Sequence, residues 1–325
     1  MVQSRVWYVM KKKNLRVAIV VPVYNESEVV SQFFTRLRKA VNQLPHKFSF
    51  YFIDDGSSDP TPGRLASLAK RDRRLVPVTL SRNFGHQAAL SAGLDLASGD
   101  VVITMDGDGQ HPPEMIHQML DLILQGYDVV QTQRMDQAQP PSFKKWTSGL
   151  FYQLINTISG THVLPGTADF RALSRQAVNA LKSMPEYHRF LRGMVSWIGY
   201  RTVILPYEPR ERLSGKSKYS FGKMFRLAMD AIFSFSLAPL YIGLSLGLML
   251  FCLAAMEMVY VLSFWVTGQT SNLARGWSSL MFVILIVGGM LMALLGFIGV
   301  YVGYIFQEVK KRPVYLIRNN KDEPG

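Results

Sequence analysis

Two runs of this chain are too long and too uncharged for an ordinary soluble fold. Residues 237–265 contain a single charged residue, Glu257, and residues 278–306 contain none. Each exceeds the roughly 20 residues a helix needs to cross a bilayer. Core helices of that length without a polar face are rare. The sequence therefore predicts two membrane spans, and the short polar segment Val266–Trp277, with Gly268 and Gly276, joins them as a tight hairpin. Trp265, Trp277 and Tyr304 fall near the span ends, where amphipathic rings favour the interface. Gly243 and Gly247 in the first span, and Gly299 and Gly303 in the second, have the spacing that lets helices approach closely. Packing between the two spans explains them as well as assembly does. Glu257 is costly in lipid and is expected to face protein or the interface.

The basic residues orient this hairpin. Arg210, Arg212, Lys216, Lys218, Lys223 and Arg226 precede the first span, and Lys310, Lys311 and Arg312 follow the second. The connecting loop carries only Arg275. An excess of Lys and Arg marks the cytoplasmic side, which places both ends there. Glu257 and Arg275 cancel, so the net charge of +13 belongs to the rest of the chain. That charge calls for an anionic partner: lipid headgroups, a phosphorylated substrate or nucleic acid. A bilayer next to the basic cluster disfavours nucleic acid. The first ten residues do not read as a signal peptide, because no apolar run follows a basic start. One cysteine, Cys252, excludes an intrachain disulfide.

From Arg16 to about Arg134, apolar runs of strand length alternate with helical patterns. The runs are Val17–Val21, Phe48–Ile53, Leu75–Leu80, Val101–Met105 and Val129–Thr132. Glu28–Val41, His86–Ala97 and Pro113–Leu124 lie between them. The alternation predicts an α/β domain with a mostly parallel sheet. Polar residues gather after the strands: Pro22 to Glu26, Asp54 to Ser58, Ser81 to Gln87, Asp106 to Gln110, and Arg134. Ligands of open α/β sheets bind at that edge. Asp106 and Asp108, with Gln110 as a third oxygen donor, suit Mg²⁺ or Mn²⁺ shared with a diphosphate. No P-loop, no G-x-G-x-x-G opening a helix and no zinc spacing is present, which removes a Walker ATPase and a Rossmann dehydrogenase. His86, His111 and His117 lack metal-ligand spacing and read as turn or surface residues.

Pro22-x-Tyr24-Asn25-Glu26, Asp54-Asp55-Gly56-Ser57, the Asp106-x-Asp108 turn with Gln110-His111-Pro112-Pro113, and Arg212-x-x-Gly215-x-Ser217-Lys218 resemble family 2 glycosyltransferases of GT-A fold. The similar branch is the polyprenyl-phosphate enzymes, namely dolichol-phosphate mannose synthase-like proteins and the bactoprenol glucosyltransferases of O-antigen modification. The latter share two C-terminal spans. The resemblance covers about residues 16–312. It implies a GT-A, Rossmann-like nucleotide-sugar-binding domain with a mostly parallel sheet, followed by a two-helix transmembrane hairpin.

The resemblance also implies residue roles. Pro22, Tyr24, Glu26, Asp54, Asp55, Gln87 and Asp106 would bind the nucleotide sugar, and Asp106, Asp108 and Gln110 the metal. Asp108, Arg134 and Asp169 would be catalytic, with Arg134 on the donor and Asp169 as base or acceptor-positioning group. Arg212, Ser217 and Lys218 would hold the acceptor phosphate. Gly107 stands where relatives often carry Ala, which is expected to leave the metal turn looser.

The expected organisation is a basic extension over 1–15, the catalytic domain over 16–220 and an interfacial amphipathic helix over 221–236. The spans follow over 237–306 and a cytoplasmic tail over 307–325. The expected reaction is inverting transfer of a hexose, glucose from UDP-glucose foremost, to undecaprenyl phosphate at the bacterial plasma membrane. Other donors, such as GDP-mannose or a UDP-aminopentose, are alternatives. A lipid-linked sugar translocase is disfavoured by spans that offer no polar path. A processive synthase is disfavoured by the missing Gln-x-x-Arg-Trp motif and extra spans. The glycines and the relatives point to a homo-oligomer, with a tetramer the assembly in view.

Overall fold

The computed structural model describes residues 14–135, 167–187, 189–208, 238–268 and 276–318. Residues 1–220 with 313–325 form one compact unit, and residues 221–312 form a second.

The first unit is built on a seven-stranded sheet. Its strands are β1 (Arg16–Val23), β2 (Lys47–Asp54), β3 (Leu75–Thr79), β4 (Val101–Thr104), β5 (Val129–Arg134), β6 (Thr167–Ser174) and β7 (Thr202–Tyr207). The spatial order is β3-β2-β1-β4-β6-β5-β7. β1 runs parallel to β2 and β4, β2 to β3, and β5 to β7, while β6 is antiparallel to both β4 and β5. The mostly parallel sheet matches the sequence expectation, and the near-unbroken burial of β1 suits a strand covered on both faces.

Helices cover the sheet. α1 (Val30–Val41) buries Val30, Phe33, Phe34, Leu37 and Val41, a helical stripe. Phe34 meets Phe50 and Phe52 of β2 edge-on, at 5.3 and 5.8 Å. α2 (Thr61–Arg71) opens on Pro62, and α3 (His86–Leu96) lies against β1. Gly93 of α3 allows that approach, because a Cβ there would come 2.1 Å from Val20 Cγ1. α4 (Ile116–Leu124) follows a 3₁₀ turn at Pro113–Met115. α5 (Arg175–Ser183) is capped by Ser174, whose side chain accepts from the Ala177 N–H. α6 (Leu191–Trp197) completes the set.

Residues beyond the second apolar run return to this unit. Ile317 bridges Leu80 in antiparallel fashion. The Ser81 N–H donates to Leu316 O, and the Arg318 N–H donates to Thr79 O, both at 2.8 Å. Tyr315 Oη donates to Asp95 Oδ2 at 3.0 Å. Leu316–Arg318, within the stretch expected as a cytoplasmic tail, thus extend the β3 edge, giving partners to backbone groups an edge strand leaves open.

The second unit contains α7 (Ala238–Val266) and α8 (Trp277–Val309), 29 and 33 residues long. Among the described residues one window is long and apolar enough to cross a membrane: Ile286–Val309, with mean hydropathy 2.1 and none of it buried. Gly243 packs against α8, where a Cβ would stand 2.0 Å from Leu294 Cδ2. Nothing lies within 4 Å of the Cβ position at Gly247, Gly289, Gly296, Gly299 or Gly303.

Candidate active site

The strand order reverses between β1 and β4, and the crevice at such a switch point is where open α/β sheets bind ligands. The loop after β1 is locked to the loop after β2. Asn25 takes a left-handed conformation (φ 52°) and its N–H donates to Ser57 Oγ at 2.9 Å. Its Oδ1 accepts the Ser58 N–H at 2.9 Å. The Glu26 N–H donates to Thr61 Oγ1, and the Ser27 N–H to Asp59 Oδ2. Burial raises the Asp59 pKa, but the hydrogen bonds from Thr61 and Ser27 outweigh it and bring it to about 2. Pro22 is buried, Glu26 is half-buried, and the Tyr24 ring is exposed beside them.

Asp54 and Asp55 are both buried, and burial pushes both carboxyls up. They do different work. Asp55 accepts the N–H groups of Phe84 at 2.7 Å and Gly85 at 2.9 Å, fixing the loop after β3. Asp54 Oδ1 accepts the Ser57 N–H, while its Oδ2 is buried with no hydrogen-bond partner. Gly56 makes the crossing of these loops possible, with φ +66° and Cβ space only 2.3 Å from the Arg82 carbonyl carbon.

The turn after β4 rests on an aromatic cluster. The Asp106 N–H donates to His111 Nδ1 at 3.0 Å. The His111 ring stacks on Phe170 at 5.1 Å and meets Tyr207 edge-on at 5.8 Å. His111 is therefore a buried support of the turn, whereas His117 lies on the surface beside Asp121, as expected for a surface histidine. Asp108 Oδ1 accepts the Gln110 N–H. The turn is not loose at Gly107, where a Cβ would come 3.0 Å from Val23 Cγ1 and 3.4 Å from Val21 Cγ1. Arg134 ends β5 in register with Tyr207.

The antiparallel β6 brings Asp169 to the same edge. Its register with β4 runs from Val101↔Ser174 to Thr104↔Arg171, so the next residues carry Asp106 past Asp169. Thr104 Oγ1 donates to Asp169 O, Thr132 Oγ1 to Phe170 O, and Gln131 Nε2 to Ala168 O, fixing the β6 backbone. His86, at the start of α3, bridges the two carboxylates: Nε2 is 3.5 Å from Asp106 Oδ1 and 3.5 Å from Asp169 Oδ2. Burial lowers the His86 pKa, but the Asp169 hydrogen bond and the two carboxylates outweigh it and raise it to about 9. Arg171 Nη2 donates to Asp169 Oδ1. Arg192 of α6 grips the same carboxylate with Nε on Oδ1 at 3.2 Å and Nη2 on Oδ2 at 3.1 Å. Burial would raise the Asp169 pKa, but Arg192, His86 and Arg171 hold it well below the carboxylate range. It is an ionised partner of these three groups.

Gln87, expected on the nucleotide sugar, gives its Oε1 to the Leu191 N–H at 3.2 Å. The sequence placed His86 at this edge but only in a turn or surface role, and it did not single out Arg171 or Arg192. Arg171 had a signal, since it lies two residues from Asp169 on one strand and shares its face. Arg192 had none, being distant in sequence and opening a separate helix. Arg212, Ser217, Lys218 and the helix expected over 221–236 lie outside the described residues.

Two carboxylates and an amide fit a hard divalent cation as a partial shell that a diphosphate completes. Asp106 Oδ1 is buried and makes no hydrogen bond, its cationic neighbour being His86 Nε2 at 3.5 Å, so a bound cation would replace that imidazole as its counter-charge. Among the described residues no group of three or more His, Cys, Asp or Glu side chains is assembled to hold a metal by itself.

Residues 18–181 match the model of the family described as glycosyl transferase family 2. Over 313 residues the chain is 37% identical to the bactoprenol glucosyl transferase of Shigella phage SfV, covering 95% of this chain and 100% of that enzyme. It is 37% identical over 303 residues to an uncharacterized glycosyltransferase of Synechocystis sp., covering 93% and 95%. It is 36% identical over 310 residues to a prophage bactoprenol glucosyl transferase homolog of Escherichia coli, covering 94% and 100%. The crystal structure of mannosyl-3-phosphoglycerate synthase from Rubrobacter xylanophilus shares the fold, with a TM-score of 0.50 at 18% identity over 67% of this chain and 72% of that one. The chain belongs to glycosyl transferase family 2 and is a glycosyltransferase.

Proposed function

We propose that this enzyme transfers a hexose, foremost glucose from UDP-glucose, to undecaprenyl phosphate with inversion of the anomeric centre. The reading rests above all on end-to-end similarity, apolar helices included, to enzymes named for glucosylating bactoprenol. A phosphate oxygen of the acceptor forms the new bond to the sugar C1. The bond from C1 to the donor diphosphate breaks, and its electron pair leaves with UDP. A phosphate monoester has a second pKa of about 6 and is mostly dianionic at neutral pH, so little proton removal is needed. The clamped, ionised state of Asp169 agrees with that chemistry.

Pro22, Tyr24, Glu26 and Asp54 would form the nucleoside side of the site. The buried, unpartnered Asp54 Oδ2 suits a donor N–H of the base. Asp55 and Gln87 would shape that side by holding Phe84, Gly85 and Leu191. Asp106, Asp108 and Gln110 would hold Mg²⁺ or Mn²⁺, whose positive charge stabilises the departing diphosphate. Arg134 would face the same diphosphate, and Arg212, Ser217 and Lys218 the acceptor phosphate.

α7 and α8 would be two spans of the bacterial plasma membrane, with both termini cytoplasmic and the basic residues against anionic lipid. Residues on both sides of the helical unit belong to one α/β unit, which favours two crossings over one. The open glycines of α8 would serve homo-oligomer packing. Membranes incubated with radiolabelled UDP-glucose and undecaprenyl phosphate test the reading. A chloroform-soluble, metal-dependent product with inverted configuration by NMR is expected. No such product from any nucleotide sugar would remove it.

A further inference from the structure

Arg192 is held with more care than a surface arginine requires. The Leu191 peptide before it is pinned at both polar groups: its N–H by Gln87 Oε1 at 3.2 Å, its C=O by Arg171 Nη1 at 3.4 Å. The far end of Arg192 is fixed side-on by both Asp169 oxygens. Arg171 holds that carboxylate from the protein interior, with 3% of its side chain exposed, whereas Arg192 keeps 29% exposed. Of the two arginines on Asp169, Arg192 has the more exposed side chain. Asp169 is one carboxylate facing two guanidiniums, Arg171 and Arg192, a local excess of positive charge.

We propose that Arg192 binds the phosphate monoester of the acceptor, and that Asp169 is its positioning residue. The proposal rests on the glycosyl-transfer reading and adds a residue to the acceptor-phosphate subsite given there to Arg212, Ser217 and Lys218. A guanidinium carries five N–H donors in one plane. Asp169 takes the Nε/Nη2 side, which sets the plane and direction of the group. A phosphate dianion is the ligand that a directed, planar guanidinium recognises best, through paired charge-assisted hydrogen bonds. Lysine supplies only a point charge, so Arg192→Lys removes the fork while keeping the charge. The attacking oxygen would then be held beside Asp106 and the donor diphosphate, where bond formation to C1 is geometrically direct.

The test uses the full chain in detergent with undecaprenyl phosphate and the active nucleotide sugar. Arg192→Lys and Arg192→Gln should raise the acceptor KM about 10- to 100-fold, the loss expected for charge-assisted hydrogen bonds. Donor affinity by calorimetry should stay unchanged, and added guanidinium ion should restore part of the Arg192→Gln rate. Inorganic phosphate should compete with acceptor in the wild type, and more weakly in both variants, if the phosphate group alone is read. Competition only by the lipid phosphate would assign the subsite to the lipid-borne group. A fall in kcat with acceptor KM unchanged would overturn the proposal, since that is the mark of a purely structural Arg192. Should a variant unfold, arginine-specific modification of the wild type decides: acceptor protects Arg192 and UDP does not, whereas no protection by acceptor overturns it. Wild-type protein inactive with every nucleotide sugar would instead defeat the parent reading.

Discussion

Asp169 shows how surroundings set a residue's role. A carboxylate at a sheet edge can serve as base or as positioning group, and two guanidiniums and an imidazole keep this one charged and oriented. We expect Asp169→Asn to lower kcat/KM for the acceptor by roughly 100-fold or more and to leave nucleotide affinity by titration intact. Equal loss of UDP binding would reject that division of labour. Asp169→Ala leaves the buried Arg171 without its partner, so denaturant unfolding should show a loss of about 3–5 kcal/mol. Glycines separate by the same reasoning. Gly56→Ala meets the Arg82 backbone at 2.3 Å in a left-handed conformation and should cost about 2–4 kcal/mol. Gly107→Ala only displaces the Val23 methyl and should cost about 1 kcal/mol or less.

Between elements, loops are held by side chains reaching across from their neighbours. Asp59 ties the start of α2 to the loop before α1, with a folded pKa of about 2 against an ordinary 3.8. Its contribution to stability is full above the unfolded pKa and is lost as pH falls through the folded one. Unfolding free energy should therefore decline between about pH 4 and pH 2, and Asp59→Asn should flatten that part of the profile. The strand-like residues Leu316–Arg318 act similarly at the end of β3, just before the loop that Asp55 holds. Arg318→Pro removes the N–H given to Thr79 and should cost about 1 kcal/mol. Hydrogen exchange at the Ser81 amide should then quicken; unchanged protection there would show that the pairing contributes nothing.

At the scale of the whole molecule, an α/β enzyme and an apolar helical pair share one chain, and the chain returns to the enzyme after the helices. The protein should stay with membranes through alkaline carbonate washing. Protease added to inside-out vesicles should cleave loops of the α/β unit, while right-side-out vesicles should protect them. Release by carbonate would show that α7 and α8 do not span the bilayer.

The strands up to Arg134, the helices α1, α3 and α4 and the two apolar runs were legible in the sequence, because each follows from local periodicity and burial. Pro22 to Glu26, Asp54, Asp106 and Asp108 were legible too, since a polar cluster after a strand is a local signal. The antiparallel insertion of β6 between β4 and β5 was not, and neither were the docking of Leu316–Arg318 on β3 or the meeting of His86, Arg171 and Arg192 on Asp169. These depend on contacts between residues far apart in the chain, which no window of sequence contains. The sequence by itself determined which segments bury their faces and which residues can carry charge to the sheet edge. Only the tertiary structure decided which charges meet, and in a buried site the meeting of charges fixes the ionisation, direction and task of each group.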